Sequence, residues 1–145
     1  MPFAIPSTPG TYIVVLYLRK GEHITVGHLG NIFFDRGWYA YVGSAFGPGG
    51  LAARLGRHLS AQKRLRWHID YLRAWAEPRQ MWISTQPDAL EHKWAAVLSG
   101  LAHKPIANFG CSDCKCPTHL FYFRRNPKSL PGRFDAHCIL CKSIG

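Results

Sequence analysis

The sequence predicts a single α+β domain, and three observations carry that prediction. Its first third is rich in β-branched and aromatic residues broken by glycines, the mark of short strands. From Leu51 onward the apolar residues recur every four positions, a helical period. With 47% hydrophobic and only 18% charged residues, the 145-residue chain has the composition of a globular domain large enough for a real core.

Taken in order, residues 1–10 (MPFAIPSTPG) contain three prolines and lack the charged start and unbroken apolar run of a signal peptide, so they predict an extended lead-in strand. Residues 10–19 (GTYIVVLYLR) predict a strand buried at its centre. Residues 23–26 and 31–34 predict two short strands, punctuated by Gly21, Gly27 and Gly30, and residues 37–43 a fourth. Four strands at this spacing predict an antiparallel meander. After FGPGG, Leu51, Leu55 and Leu59 form a stripe, with Arg54, Arg57 and His58 together beside it on a helical wheel of about 100° per residue. Such a helix buries leucine and presents base. A second helix is expected from about His68 or Ile69, ending before Pro78. Residues 79–85 predict a strand, and Pro87 opens a third helix through about Leu101, with Thr85 and Asp88 at capping-box spacing. Leu90, Trp94, Val97, Leu98 and Leu101 are its expected core stripe, with Glu91 at the edge. A Cys-rich loop then leads into a last strand over residues 119–124. Beyond Asn126 the composition shifts to Pro, Gly, Lys and Arg, so the expected division is a domain over 1–125 and a basic, Cys-containing tail over 126–145, wrapped on the surface or partly disordered.

The charge is lopsided: 18 Lys+Arg against 8 Asp+Glu gives +10, with eight histidines besides. Each Lys or Arg placed on a phosphate gains by counterion release, so a polyanionic partner is expected. The alternative is a basic but inert surface. No run approaches the roughly 18 apolar residues of a membrane span, and a cytoplasmic location without membrane partners is expected. Five cysteines, Cys111, Cys114, Cys116, Cys138 and Cys141, then argue for reduced thiols or metal ligands over disulfides.

Several stretches converge on one resemblance. Gly10-Thr11-Tyr12 stands early in a strand, Tyr41-Val42-Gly43-Ser44-Ala45 ends another, RLGRH follows with Arg54 and His58 four apart, and Glu91 lies on a later helix. In this order the chain resembles the GIY-YIG nuclease superfamily, with GTY standing for GIY and YVG for YIG. WHIDYL and FGCSDCKCPTHLFYF resemble its DUF123/Uri-like branch of mostly prokaryotic proteins, sometimes fused to a DNA-repair glycosylase. The resemblance covers about residues 8–125. It implies a small antiparallel or mixed sheet flanked by about three helices, and an endonuclease that hydrolyses DNA phosphodiesters with one divalent cation, Mg²⁺ or Mn²⁺, in DNA repair or processing. Carried across, the two tyrosines fall on Tyr12 and Tyr41, the catalytic arginine on Arg54, the following histidine on His58, the metal-binding glutamate on Glu91 and a late asparagine on Asn108. His68 resembles a second histidine that some members need. Ser44, Asp113 and His119 belong to the matching motifs as candidate site-lining residues. The separation of Tyr12 and Tyr41 far exceeds the usual hairpin of the family, which implies an extra N-terminal hairpin.

These residue types suit the chemistry. Phosphodiester hydrolysis needs a positioned water, a base, and charge stabilisation on the phosphoryl and leaving oxygens. Glu91 can hold a hard cation through oxygen, and Arg54 can grip two phosphate oxygens. A tyrosine with a reference pKa of about 10 is a poor base unless a metal, nearby cations or proton transfer to His58 activates it. Tyr12 is the expected base, with Tyr41 orienting water or phosphate, and Arg57, Lys63, Arg64 and Arg66 are the expected nucleic-acid contacts. Each has a plainer reading. Tyr12 and Tyr41 pack across strands, Arg54, Arg57 and His58 form a solvated face, Glu91 answers the helix dipole, and Asp70 serves the start of its helix. For the cysteines a structural zinc site, which would staple the tail to the body, stands against buried or free thiols. A non-catalytic nucleic-acid-binding module with stacking aromatics is the competing class, though it has little use for Glu91.

Overall fold

The computed structural model describes residues 5–60, 64–110, 117–134 and 136–140, residues 138–140 by backbone alone. Strand β1, Gly10–Leu18, lies at the middle of a six-stranded, wholly antiparallel sheet with β4, Gly37–Ala45, β5, Glu77–Ser84, β6, Lys104–Pro105, β7, Leu120–Phe123, and β8, His137–Leu140, in the order β6-β7-β4-β1-β5-β8. The predicted meander does not form. β1 pairs with β4 along their whole length, from Gly10↔Ala45 to Leu18↔Gly37, while β2, Glu22–Thr25, and β3, Asn31–Phe34, pair only with each other. The reason lies in pattern and length. β1 is apolar on both faces and demands long, equally apolar neighbours, whereas β2 has four residues that include exposed His23 and Thr25. The hairpin implied between Tyr12 and Tyr41 is therefore present as an excursion, anchored by buried Ile24, Val26 and Phe34.

Side-chain alternation along the strands gives the sheet two apolar faces. Tyr12, Val14, Leu16, Tyr39, Met81 and Ile83 face helices α1, Gly50–Leu59, and α2, His68–Arg73, through Leu51, Leu55, Ile69 and Leu72. Ile13, Val15, Ala40, Val42, Trp82 and Phe121 face α3, Glu91–Leu101, through Trp94, Ala95 and Leu98. The result is an α+β sandwich of three layers.

Local detail differs from expectation at three places. Of the expected lead-in strand, residues 5–9 make none, and residues 1–4 lie outside the described residues. The described part crosses the start of α1, where the Thr8 and Pro6 carbonyls accept from the Leu51 and Ala52 amides at 3.0 and 2.9 Å. Gly50 sits there with φ +58°, and a Cβ on it would lie 2.2 Å from the Ser7 carbonyl oxygen, so no larger residue fits. Helix α3 begins at Glu91, not near Pro87, because the Leu90 amide donates to Thr11 Oγ1 at 3.3 Å and this tie to β1 overrides the Thr85/Asp88 capping pattern. Finally, the segment predicted to wrap on the surface makes a turn over Pro131–Phe134 that buries Phe134 against Trp82 and Trp94, then adds β8 to the sheet edge. No helix among the described residues is long and apolar enough to cross a membrane.

Candidate active site

Tyr12 and Tyr41 project from neighbouring strands on the face that carries α1. Opposite Tyr12 in the ladder stands Gly43, and the phenol lies across it. A Cβ at Gly43 would fall 2.4 Å from the Tyr12 hydroxyl oxygen, so the glycine of YVG is required by the tyrosine of GTY. The hydroxyl meets His58 Nε2 at 2.7 Å. His58 is thereby buried at 2% exposure rather than solvated as the helical wheel suggests, and the Tyr41 and Trp67 rings flank it, each at 5.9 Å between centroids.

Arg54, one turn before His58, donates from Nη1 to the Ser44 carbonyl at 3.2 Å and lies 4.7 Å over the Trp67 ring. Arg57 lies 4.2 Å over the same ring, and its Nη2 reaches Asp70 Oδ2 at 2.7 Å. Asp70, 1% exposed, also accepts the Arg66 and Trp67 amides at 2.9 and 2.8 Å. It serves the start of its helix, as one reading held, and in addition ties α2 to α1. Arg57, expected on nucleic acid, is thus committed to a latch.

Glu91 is the first residue of α3. Its Oε2 is 2.6 Å from His119 Nδ1, and the Ser44 side chain bonds to its carboxylate. His119 Nδ1 also faces the Val42 carbonyl at 3.3 Å; with two acceptors before it, this nitrogen carries hydrogen. Burial alone would raise the Glu91 carboxyl. The bonds from His119 and Ser44, with the charges of His119 and His92, outweigh it and hold the carboxyl below its ordinary value. Tyr12 is pushed far the other way, chiefly by burial, with Glu91 adding to the rise and the Arg54 and Arg57 guanidiniums opposing it. Tyr41 is raised too, by burial first and then by Tyr12 and Glu91. The Glu91 charge therefore reaches both phenols, although Glu91 stands on the opposite helical layer.

The remaining candidates divide. His68 Nδ1 accepts the Gly110 amide at 2.8 Å, and burial lowers its pKa; it pins the 108–110 turn. Asn108 is an exposed turn residue with φ +62°. Arg64 and Arg66 are exposed. Lys63, Cys111, Asp113, Cys114, Cys116 and Cys141, and the side chain of Cys138, lie outside the described residues, and with them the zinc expectation. Among the described residues no group of three His, Cys, Asp or Glu side chains gathers as a metal site. The role of Trp67 was missed from sequence, its only signal its place in WHID; His119 was named there as a site-lining candidate, but its bond to Glu91 was not.

A family model described as a domain of unknown function, DUF123, matches residues 11–137. No curated protein and no solved structure matches the chain.

Proposed function

The chain belongs to the DUF123 family, and from that premise we propose that it is a metal-dependent DNA endonuclease of the GIY-YIG type, acting in the cytoplasm. The observation that carries the reading is the 2.7 Å contact of Tyr12 with His58, on the same face as Arg54 and within electrostatic reach of Glu91. A buried phenol does not ionise at neutral pH. It can still act as a base when its own proton has an acceptor, and His58 Nε2, 2.7 Å away, is one when it carries no hydrogen.

Water attacks phosphorus while its proton passes to the Tyr12 oxygen and the phenol proton to His58. The bond to the leaving oxygen breaks, that oxygen departs as an alkoxide and takes a proton from solvent, and the charge gathered on the phosphoryl oxygens falls to the Arg54 guanidinium. Ser44 and His119 fix Glu91 as an ionised hard-oxygen donor, which fits a cation that takes one protein carboxylate and otherwise water and phosphate. Mg²⁺ or Mn²⁺ bound there supplies charge stabilisation at the phosphate.

Labelled single- and double-stranded DNA, incubated with the purified chain and Mg²⁺, Mn²⁺ or chelator, tests the proposal. Cleavage should require the metal, and Glu91→Ala should abolish it while leaving DNA binding nearly intact. Undiminished cleavage by that variant removes the metal assignment, and binding without cleavage under every condition leaves the non-catalytic module.

A further inference from the structure

Where β4 runs into α1, the surface carries a hollow of about 210 Å³ walled by Ala45, Gly47, Pro48 and Ala53 and rimmed by Arg54 and Arg57. Phe46, a chain neighbour of two wall residues though not itself part of the wall, is 43% exposed, one of four large apolar side chains exposed among the described residues. Three properties restrict what fits. The volume lies below the roughly 300–1,000 Å³ of a site for a drug-sized molecule and suits one flat ring system. Among the described residues no acidic side chain lines the hollow, and its rim carries two guanidiniums. The amides at the start of α1 are already bonded, Leu51 to the Thr8 carbonyl, Ala52 to that of Pro6 and Ala53 to that of Gly49. Arg57 is already paired to Asp70, so anion recognition here rests on Arg54, and the rest of the wall is apolar.

A ligand with a flat apolar ring and an adjoining anion meets all three conditions. On a chain with a net charge of +10, that ligand is a nucleotide of a nucleic-acid strand. In a duplex its ring would be paired and stacked and out of reach; only an unpaired base can leave the stack and turn toward the hollow and the exposed Phe46 next to it in the chain. We infer that Phe46 and this hollow form a subsite for an unpaired nucleobase next to the phosphate held by Arg54, so that the substrate is single-stranded or locally unpaired DNA. The inference rests on the nucleic-acid reading above and narrows it to one substrate class.

Binding separates the two claims, because it is measured with chelator present and needs no chemistry. Fluorescence anisotropy with the full chain would compare a mixed-sequence oligonucleotide, the same strand with abasic sites, and its duplex. The single strand should bind more tightly than the duplex, and Phe46→Ala should weaken single-strand binding by about fivefold or more, the usual loss for one stacking aromatic. Phe46→Trp should keep it. Abasic sites should erase the difference between the native protein and Phe46→Ala, and duplex binding should be the same for both. Phe46 is exposed, so the variants should melt with the native protein, which a thermal scan checks. Equal affinity for single strand and duplex, an unchanged Phe46→Ala, or no binding to either form overturns the subsite. The expected pattern without cleavage in Mg²⁺ or Mn²⁺ upholds the subsite and overturns the endonuclease.

Discussion

Replacing Gly43 by alanine tests the link between the two tyrosine motifs most directly. The new methyl would stand 2.4 Å from the Tyr12 hydroxyl oxygen, 2.6 Å from Cζ and 3.1 Å from Cε1. Neither side can yield easily: Gly43 is held in the β1–β4 ladder opposite Tyr12, and the phenol is 1% exposed within the core. Overpacking of this kind costs about 1–3 kcal/mol, and pulling the hydroxyl from His58 adds about 1 kcal/mol for a lost buried hydrogen bond. With an unfolding entropy of about 2.1 cal/mol/K per residue, a total of about 2–4 kcal/mol lowers Tm by roughly 7–13 °C in a chain of 145 residues. Circular dichroism melts measure that shift, and a cleavage assay should show Gly43→Ala at least as impaired as Tyr12→Phe, itself expected to lose about 10²-fold or more as a general-base deletion. The double variant sharpens the test. Tyr12→Phe already removes the 2.4 Å contact and the His58 bond, so the two stability losses should sum to more than the double variant shows. A Gly43→Ala protein melting within about 2 °C of native and cutting at the native rate would refute the packing argument.

Asp70→Asn should cost about 3 kcal/mol, the low end for a broken buried ion pair because Arg57 keeps partial access to water; an unchanged urea midpoint would mean that the α1–α2 latch contributes nothing. His68, its pKa lowered from 6.5 by burial, takes up its proton more readily in the unfolded chain. Its contribution is therefore intact above about pH 6.5 and lost as the pH falls below it, so urea midpoints should drop between pH 7.5 and pH 5.5, and by less in His68→Leu. Ser44→Ala removes one hydrogen bond from the Glu91 carboxylate but leaves the backbone carbonyl that holds Arg54. Single-turnover cleavage should fall about tenfold, in keeping with a bond to a charged group, with DNA affinity unchanged; an unaltered rate would sever Ser44 from the site.

What the sequence made legible follows from how far each feature's causes extend along the chain. The β-branched and aromatic run GTYIVVLYL and the period of four in Leu51, Leu55 and Leu59 are local, and strand and helix follow them. The start of α3 was misplaced because the local capping pattern at Thr85 and Asp88 lost to a hydroxyl on Thr11, 79 residues away. His58 reads as solvated on a helical wheel, since the wheel does not contain the Tyr12 hydroxyl that satisfies its buried nitrogen. Glu91 was legible as a type and a position, yet its partner was not. His119 reaches it only because β7 lies beside β4, an adjacency across a long sequence separation that no spacing rule encodes. The hairpin of β2 and β3 was implied by the resemblance, but their own pattern led to a meander, since only competition for the long edge of β1 decides that β4 pairs there instead.

The electrostatics of Glu91 and Tyr12 then become one problem. The negative charge of Glu91 raises both phenols and so opposes the proton transfer proposed for Tyr12, while Arg54 pulls both the other way and Arg57 adds to it at Tyr12. Burial makes these terms matter, because charges interact more strongly where water is excluded. Compensation of Glu91 by a divalent cation would reverse the sign of its contribution, since the net local charge passes from negative to positive and favours loss of the phenol proton. His119 and Ser44 fit this scheme by keeping the carboxylate ionised and aimed in advance, at the expense of a less favourable Tyr12 in the metal-free protein. Under the proposed mechanism, Tyr12 would then be a weak proton acceptor until the cation arrives. If the proposed function holds, the burial of Tyr12 would couple metal binding to base activation through a single carboxylate.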